Sequence, residues 1–361
     1  WWKNIDKIIF LLITFLFSLG LFFSLVSTSL IASDKLDTNN YFFFFKHLAY
    51  VFIGIVTLVF FSSLSEKNLF RICIYLFFIT LFFLFLVPIF GTEVKGSKRW
   101  LNFFFLPQFQ PIELLKPFII IFVATILCSE KNYNIYIKYL LTILAIIPIG
   151  LLLIMQPDIG QTLLVFLSWA ILVFISGINL LFILLFISFS FITLLYVIFF
   201  IPKFIYIKSR ILSFFNPDGG THNFQSDKAI EAISSGGFFG KGIGEGTLKT
   251  RVPEAHTDYI ISVISEEFGV IVIILLLIVF LFFIYNVFKK IYLEKSEKVK
   301  LVLTGAISLI IFQALIHLGV NIRLFPTTGM TLPFLSYGGS SIVGVSILSG
   351  IILNLTKRKI D

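Results

Sequence analysis

PEAHTDYIISVISEEFG, residues 253–269, stands at the entrance to an apolar run that continues to residue 288. At 3.6 residues per turn, Asp258, Ser262, Ser265, Glu266 and Gly269 share one stripe, while Ile260, Ile261, Ile264 and Phe268 face mostly elsewhere. A run of this length with so few charges reads as a membrane-spanning helix. A carboxylate stripe leading into hydrocarbon is costly unless it faces protein, water or a ligand. Helix capping by Thr257 or Asp258, with acid near the positive helix end, accounts for Asp258. It leaves Glu266 and Glu267, two turns in, without a reason. The competing explanation is a reactive or binding carboxylate at the membrane surface.

The rest of the chain has the same character. Its 361 residues are 58% hydrophobic and 13% charged, with a mean hydropathy of +1.03, and a soluble domain carries about twice that charge fraction. Apolar runs near 8–32, 42–64, 70–90, 110–128, 139–155, 162–177, 178–201, 259–288, 300–320 and 336–356 predict an all-α polytopic membrane protein of about ten spans. We expect one integral membrane domain over residues 1–361. The first run is too long for a signal-peptide core and is expected to stay as an anchor.

An even count puts both termini on one side. Lys and Arg in the short loops, including Lys67, Arg71, Lys131, Lys138, Lys289 and Lys290, make that side the cytoplasm. The one long loop, residues 202–257 between spans seven and eight, then faces outward, together with the loop around Lys98 and the Asp258 stretch. The net charge of +9 is spread singly and in pairs between apolar runs, so it suits topology and acidic headgroups and argues against a nucleic-acid partner. Cys73 and Cys128 have no C-x-x-C or His-rich neighbour and read as small buried hydrophobes.

The long loop begins with a turn signal at residues 216–220, continues into a short amphipathic helix (227–233) and then holds glycines at 236, 237, 240, 242, 244 and 246. GGFFGKGIGEG fails as a nucleotide loop: Ser235 replaces the first Gly of a Walker motif, and Gly242 follows Lys241 where Ser or Thr is needed. No internal repeat or inverted half is visible, which weakens a transporter reading.

Several short motifs carry the polar chemistry. GSKRW (96–100) sets Lys98 and Arg99 beside Trp100, with Lys95 upstream. By itself this is best explained as an interfacial anchor; a clamp for the phosphates of a lipid-linked substrate is the alternative. In QPIELLKP (110–117), Glu113 and Lys116 share a helix face, either as a neutralised pair or as a functional one. QPDIGQ (156–161) reads as a tight turn in which Asp158 bonds its own backbone. Gln313, His317 and Asn321 form an inward stripe of interhelical hydrogen bonds leading to Arg323. LPFLSYGGSS (332–341), with Ser336 and Tyr337, suits a re-entrant segment lining a protein-walled cavity.

GSKRW, QPIELLKP, QPDIGQTLL, GKGIGEGTLK, PEAHTDYIISVISEEFG and PTTGMTLPFLSYGGSS occur in the order characteristic of the SEDS family (shape, elongation, division and sporulation proteins). The chain resembles the polytopic peptidoglycan glycosyltransferases of that family over nearly its whole length, and its motif forms resemble the division branch more than the elongation branch. Ile112 departs from the family's usual Ser and Gln161 from its usual Thr; the charged positions are intact.

The resemblance implies polymerisation of lipid II into glycan strands on the outer face of the bacterial inner membrane, at the division septum. It makes Asp258 the general base and undecaprenyl pyrophosphate the leaving group. Glu113, Lys116, Lys98, Arg99, Ser336 and Tyr337 become the expected substrate contacts. Positive charge for the leaving group would come from Lys and Arg or from a divalent cation, Mg or Mn. The expected partners are a class B penicillin-binding protein acting as transpeptidase and other division proteins. A lipid II flippase and a non-catalytic scaffold are the competing classes.

Overall fold

The computed structural model describes residues 1–28, 41–94, 97–103, 106–129, 134–215 and 224–357. Lys95, Lys131 and the turn signal at 216–220 fall outside the described residues. Each predicted apolar run is a helix: α1 (Lys7–Thr28), α2 (Phe42–Ser63), α3 (Glu66–Phe90), α4 (Pro111–Leu127), α5 (Ile135–Met155), α6 (Ile159–Ile175), α7 (Leu180–Phe200), then, beyond two shorter helices, α10 (Ile260–Leu293), α11 (Glu297–Asn321) and α12 (Gly339–Leu355). Among the described residues, seven helices are long and apolar enough to cross a membrane: α1, α2, α3, α5, α7, α10 and α11. The helices α4, α6 and α12 are shorter, at 17 residues each. This is a multi-pass membrane protein.

Helix starts follow local chemistry. Asn179 and Ser65 accept from backbone N–H groups of the first turns of α7 and α3, and Pro111 occupies the first turn of α4, where its missing N–H costs nothing. One apolar core joins α1–α6 and α10–α12. Helices α11 and α12 form its centre, whereas α7 leaves most of its surface outward.

Between α3 and α4 the chain forms an antiparallel sheet of β1 (Thr92–Val94), β2 (Ser97–Phe103) and β3 (Leu106–Phe109). Thr92 pairs with Trp100 and Leu101 with Phe109. The segment read as a loop around Lys98 and Arg99 is therefore a strand. Helices α8 (Ile205–Phe215) and α9 (Phe224–Gly236) lie within the long loop. The predicted short helix at 227–233 is extended by three residues at each end as α9, and Asp227 on it pairs with Arg323 beyond α11 at 2.6 Å.

Helix α10 is broken at Gly269, whose backbone (φ 79°, ψ 177°) is open in practice only to glycine. Such a break strands carbonyls before it and amides after it. The glycine-rich loop that follows α9 supplies the missing partners. Lys241 and Gly242 donate to the carbonyls of Glu266 and Glu267 (2.9 and 3.0 Å), while Val270 and Ile271 donate to the carbonyls of Gly237 and Phe238 (3.0 and 3.3 Å).

The Glu266 and Glu267 side chains complete the clamp. Glu266 accepts from the backbone of Leu248 at 2.8 Å and lies 3.7 Å from Lys241 Nζ, and Glu267 accepts from Gly244. Their reason for being two turns into the helix is thus the loop packed over them. They are fully buried and take no part in a carboxylate stripe open to the membrane surface.

A methyl group on Gly269 would sit 2.2 Å from the Phe238 carbonyl, whereas one on Gly244 would meet nothing within 4 Å. Gly269→Ala is therefore expected to lose roughly 1–3 kcal/mol from backbone conformation alone and more from the collision. Gly244→Ala, also at positive φ, should suffer only the conformational loss. Thermal unfolding in detergent and protease cutting within 237–251 measure the difference; equal losses in the two variants would remove the clamp from the explanation.

Candidate functional site

The segments that connect the helices at one end of the bundle meet around a cavity of about 580 Å³. Strand β2 brings Arg99, the first turn of α4 brings Glu113, the start of α10 brings Asp258, and the stretch between α11 and α12 brings residues 327–331 and Tyr337. The three polar segments expected to converge on one membrane face do meet here.

Asp258 and Arg99 flank Gly329. A β-carbon built on that glycine would lie 3.6 Å from Asp258 Oδ2 and 3.9 Å from Arg99 Nη1. The Asp258 main chain is held independently of its side chain: its carbonyl accepts from Asn321 Nδ2 at 3.0 Å, and its N–H donates to the Glu254 carbonyl at 3.1 Å.

Arg99 is fixed by the α5–α6 turn. Its Nε donates to the Gln156 carbonyl at 3.3 Å, Nη2 donates to the Pro157 carbonyl, and Nε lies 3.7 Å from Asp158 Oδ2. Asp158 is buried. Its Oδ1 accepts from Gln161 N at 3.4 Å and starts α6, as the turn reading expects, while Oδ2 also accepts from Gln110 Nε2 at 3.0 Å. Burial pushes the Asp158 carboxyl above the usual range, and the Arg99 guanidinium opposes that rise. Asp158 thus holds the arginine as well as the turn, a role no local pattern in QPDIGQ announces.

Lys98 points away. Neighbouring side chains on a strand alternate faces, and Lys98 is exposed without lining the cavity. The expected two-cation clamp reduces to Arg99 for this geometric reason. The cations that sequence reasoning missed are Lys46 on α2 and Arg210 on α8, both on the cavity wall. Lys46 stands alone in an apolar run, FFFFKHLAY (42–50), which is the signal that would have found it. Arg210 lies in a short helix with no motif around it, and its Nη1 donates to the Thr327 carbonyl at 3.3 Å.

Glu113 lines the cavity, and Lys116 lies behind it, buried and off the wall. Lys116 Nζ sits 2.9 Å from Glu113 Oε2 and donates to Gln313 Oε1 at 3.2 Å, while Gln161 donates to Glu113 Oε1. Gln313 Nε2 continues to the Thr331 carbonyl at 3.0 Å, and Thr331 Oγ1 lies 2.6 Å from Ser341 Oγ. The stripe on α11 therefore bonds to the segment between α11 and α12, with His317 Nδ1 2.8 Å from the Met330 carbonyl. Gln161 is long enough to reach Glu113.

Ser336 does not face the cavity. It is buried, donates to the Thr257 carbonyl at 2.6 Å and accepts from Leu332 N at 2.8 Å, so both its hydrogen-bonding roles are taken up in holding the residue before Asp258. It positions the loop and lies off the cavity wall. Tyr337 lines the cavity, its ring edge-on to Phe43. The 332–341 stretch does re-enter the bundle: the Phe334 ring is buried against Phe17, Phe280 and Phe283.

The chain is similar to known proteins over nearly its whole length. The sequence model FTSW_RODA_SPOVE, described as "Cell cycle protein", matches residues 6–360. A relative from Caulobacter vibrioides named "Probable peptidoglycan glycosyltransferase FtsW" is 31% identical over 99% of this chain and 91% of its own length. One of the same name from Buchnera aphidicola subsp. Schizaphis graminum is 34% identical over 88% of this chain and 92% of its own. Among solved structures, a chain described under "Structural coordination of polymerization and crosslinking by a peptidoglycan synthase complex" superposes with a TM-score of 0.78 and 25% identity, covering 98% of this chain and 97% of that one. The crystal structure of the Thermus thermophilus rod shape determining protein RodA shares the fold, with a TM-score of 0.70 at 24% identity over 98% of this chain and 96% of that one.

Proposed function

The chain belongs to the FtsW/RodA/SpoVE family of cell cycle proteins, and from that premise we propose how this peptidoglycan glycosyltransferase works. The substrate is lipid II, and the reaction takes place in the Asp258 cavity on the outer face of the bacterial inner membrane. The seven long helices and the shorter α4, α6 and α12 all cross the bilayer in this reading, with both termini cytoplasmic. The two sequence relatives named above are both named FtsW and the motif forms resemble the division branch, so we assign the work to the septum instead of to elongation.

The observation that carries the reading is the placement of Asp258 and Arg99 on either side of Gly329. The acceptor's sugar 4-hydroxyl attacks the donor's anomeric carbon. Asp258 takes the hydroxyl proton as the new glycosidic bond forms. The bond from the anomeric carbon to the phosphate oxygen breaks, and its electron pair leaves on the lipid pyrophosphate. Pyrophosphate needs no protonation to leave but gathers negative charge, which Arg99, Lys46 and Arg210 on the cavity wall are suited to receive. One carboxylate and direct displacement give inversion at the anomeric carbon.

A divalent cation, Mg or Mn, is the other source of positive charge. Among the described residues no three His, Cys, Asp or Glu side chains converge, and no step is assigned to a metal. The polymer needs crosslinking, and a class B penicillin-binding protein with other division proteins is the partner set proposed for it. Support comes from the likeness to the synthase-complex chain.

The pyrophosphate role is tested at Arg99. Arg99→Lys keeps the charge but loses the planar fork that spans two loop carbonyls and a phosphate. Binding of a fluorescent lipid II analogue should weaken about ten-fold, the worth of one charge-assisted contact. Unchanged binding would return Arg99 to the role of an interfacial anchor.

A further inference from the structure

The glycine-rich loop carries a feature that the reaction does not use. Phe238 is 73% exposed, Phe239 83% and Ile243 65%. Three large apolar side chains at a loop tip outside a membrane helix are costly in water. The loop cannot fold them away, because its backbone is tied to α10 on both sides of the Gly269 break.

The position of that tie sets the loop's height. Beyond the break, residues 270–288 of α10 carry no charged side chain, and Lys289 and Lys290 follow. About 19 residues at 1.5 Å each span roughly 29 Å, which matches a hydrocarbon core of about 30 Å. With the two lysines at the cytoplasmic boundary, the opposite boundary falls at Gly269 and Val270. Phe238 is bonded there, its carbonyl accepting from Ile271 N. Ile271, Ile274 and Leu275 below it are exposed along α10 and face lipid. The aromatic tip is thus continuous with the lipid-facing surface of the helix and level with the outer headgroups, the depth that aromatic rings favour.

We infer that Phe238, Phe239 and Ile243 form an interfacial anchor that inserts into the outer leaflet beside α10. Its occupant is the bilayer: the rings lie between headgroups and acyl chains, and the glycine loop transmits their height to the start of α10, where Asp258 lies. The clamp on Glu266 and Glu267 then has a purpose beyond repairing a helix break. It fixes the catalytic end of α10 relative to the membrane plane in which a lipid-linked substrate moves.

Depth-dependent quenching tests this without reference to turnover, so its failure would leave the glycosyltransferase reading standing. Phe238→Trp and Phe239→Trp are made in the full chain and reconstituted in nanodiscs of phosphatidylethanolamine and phosphatidylglycerol. The parent spectrum is subtracted to remove the four native tryptophans. Insertion by the ~5–10 Å expected of an interfacial element should give a roughly two-fold loss of the added emission with lipids brominated near the carbonyl end. Little loss is expected with bromines near the chain terminus or with aqueous iodide. Iodide quenching without any response to brominated lipid would overturn the anchor. Shielding from iodide that arises only after a penicillin-binding partner is added would also overturn it, assigning the tip to a protein surface.

Discussion

Asp258→Asn is expected to reduce lipid II polymerisation by about 10²–10⁴-fold, the usual worth of a positioned general base. The purified protein should remain folded, because main-chain contacts hold this residue whichever side chain it carries. Asn321 donates to its carbonyl and its N–H reaches Glu254, while Ser336 holds the Thr257 carbonyl just before it. An amide has nearly the shape of the carboxylate but cannot accept the hydroxyl proton at neutral pH. Asp258→Glu keeps the base but moves it by about one methylene, and misplacement on that scale can cost on the order of 10²-fold; it should recover part of the rate. Fluorescent lipid II with and without the transpeptidase partner is the assay. Asn at the parental rate would remove Asp258 from the chemistry. Translocation of lipid II in liposomes that survives Asp258→Asn would favour a flippase, and an absence of polymer from the parent under every partner condition would favour a scaffold.

The helices were legible because a membrane span announces itself by length and hydropathy, without needing to know its neighbours. The chemistry was less so. Asp258 and Glu113 stand out as charges at the ends of apolar runs, and both reach the cavity. Lys98 and Arg99 look equivalent in sequence, but the strand pairing that separates them depends on residues 92–94 and 106–109 folding back. Glu266 and Glu267 resembled reactive acids because their partners, the amides of Gly244 and Leu248, lie about twenty residues upstream on a loop whose path only the Gly269 break explains. Ser336 failed for the opposite reason. A hydroxyl in a Gly-rich stretch suits a ligand contact or a backbone brace equally, and only the two carbonyl and amide distances decide for the brace.

Glu113 and Lys116 are the other pair on which a large effect should be seen, and here stability and activity should separate. Their side chains are 5% and 3% exposed and 2.9 Å apart. Lys116→Met removes the cation and leaves the carboxylate buried with Gln161 as its remaining partner among the described residues, while Gln313 Oε1 loses its donor. Breaking a buried pair from one side typically costs about 3–5 kcal/mol, so the thermal midpoint in detergent should fall sharply. Glu113→Gln combined with Lys116→Met leaves no unpaired charge and should recover most of that stability. It should not recover polymerisation, because the cavity wall then lacks the Glu113 carboxylate and keeps only those of Asp258 and Glu254 among the described residues. The double-mutant cycle isolates the pair, read once by unfolding and once by rate. An undiminished midpoint for Lys116→Met would mean that water reaches the pair and that the buried ion pair is not structural. Parental polymerisation by the double variant would mean that Glu113 contributes shape alone, and the electrostatics of the cavity would then rest on Asp258, Glu254 and the cations facing them.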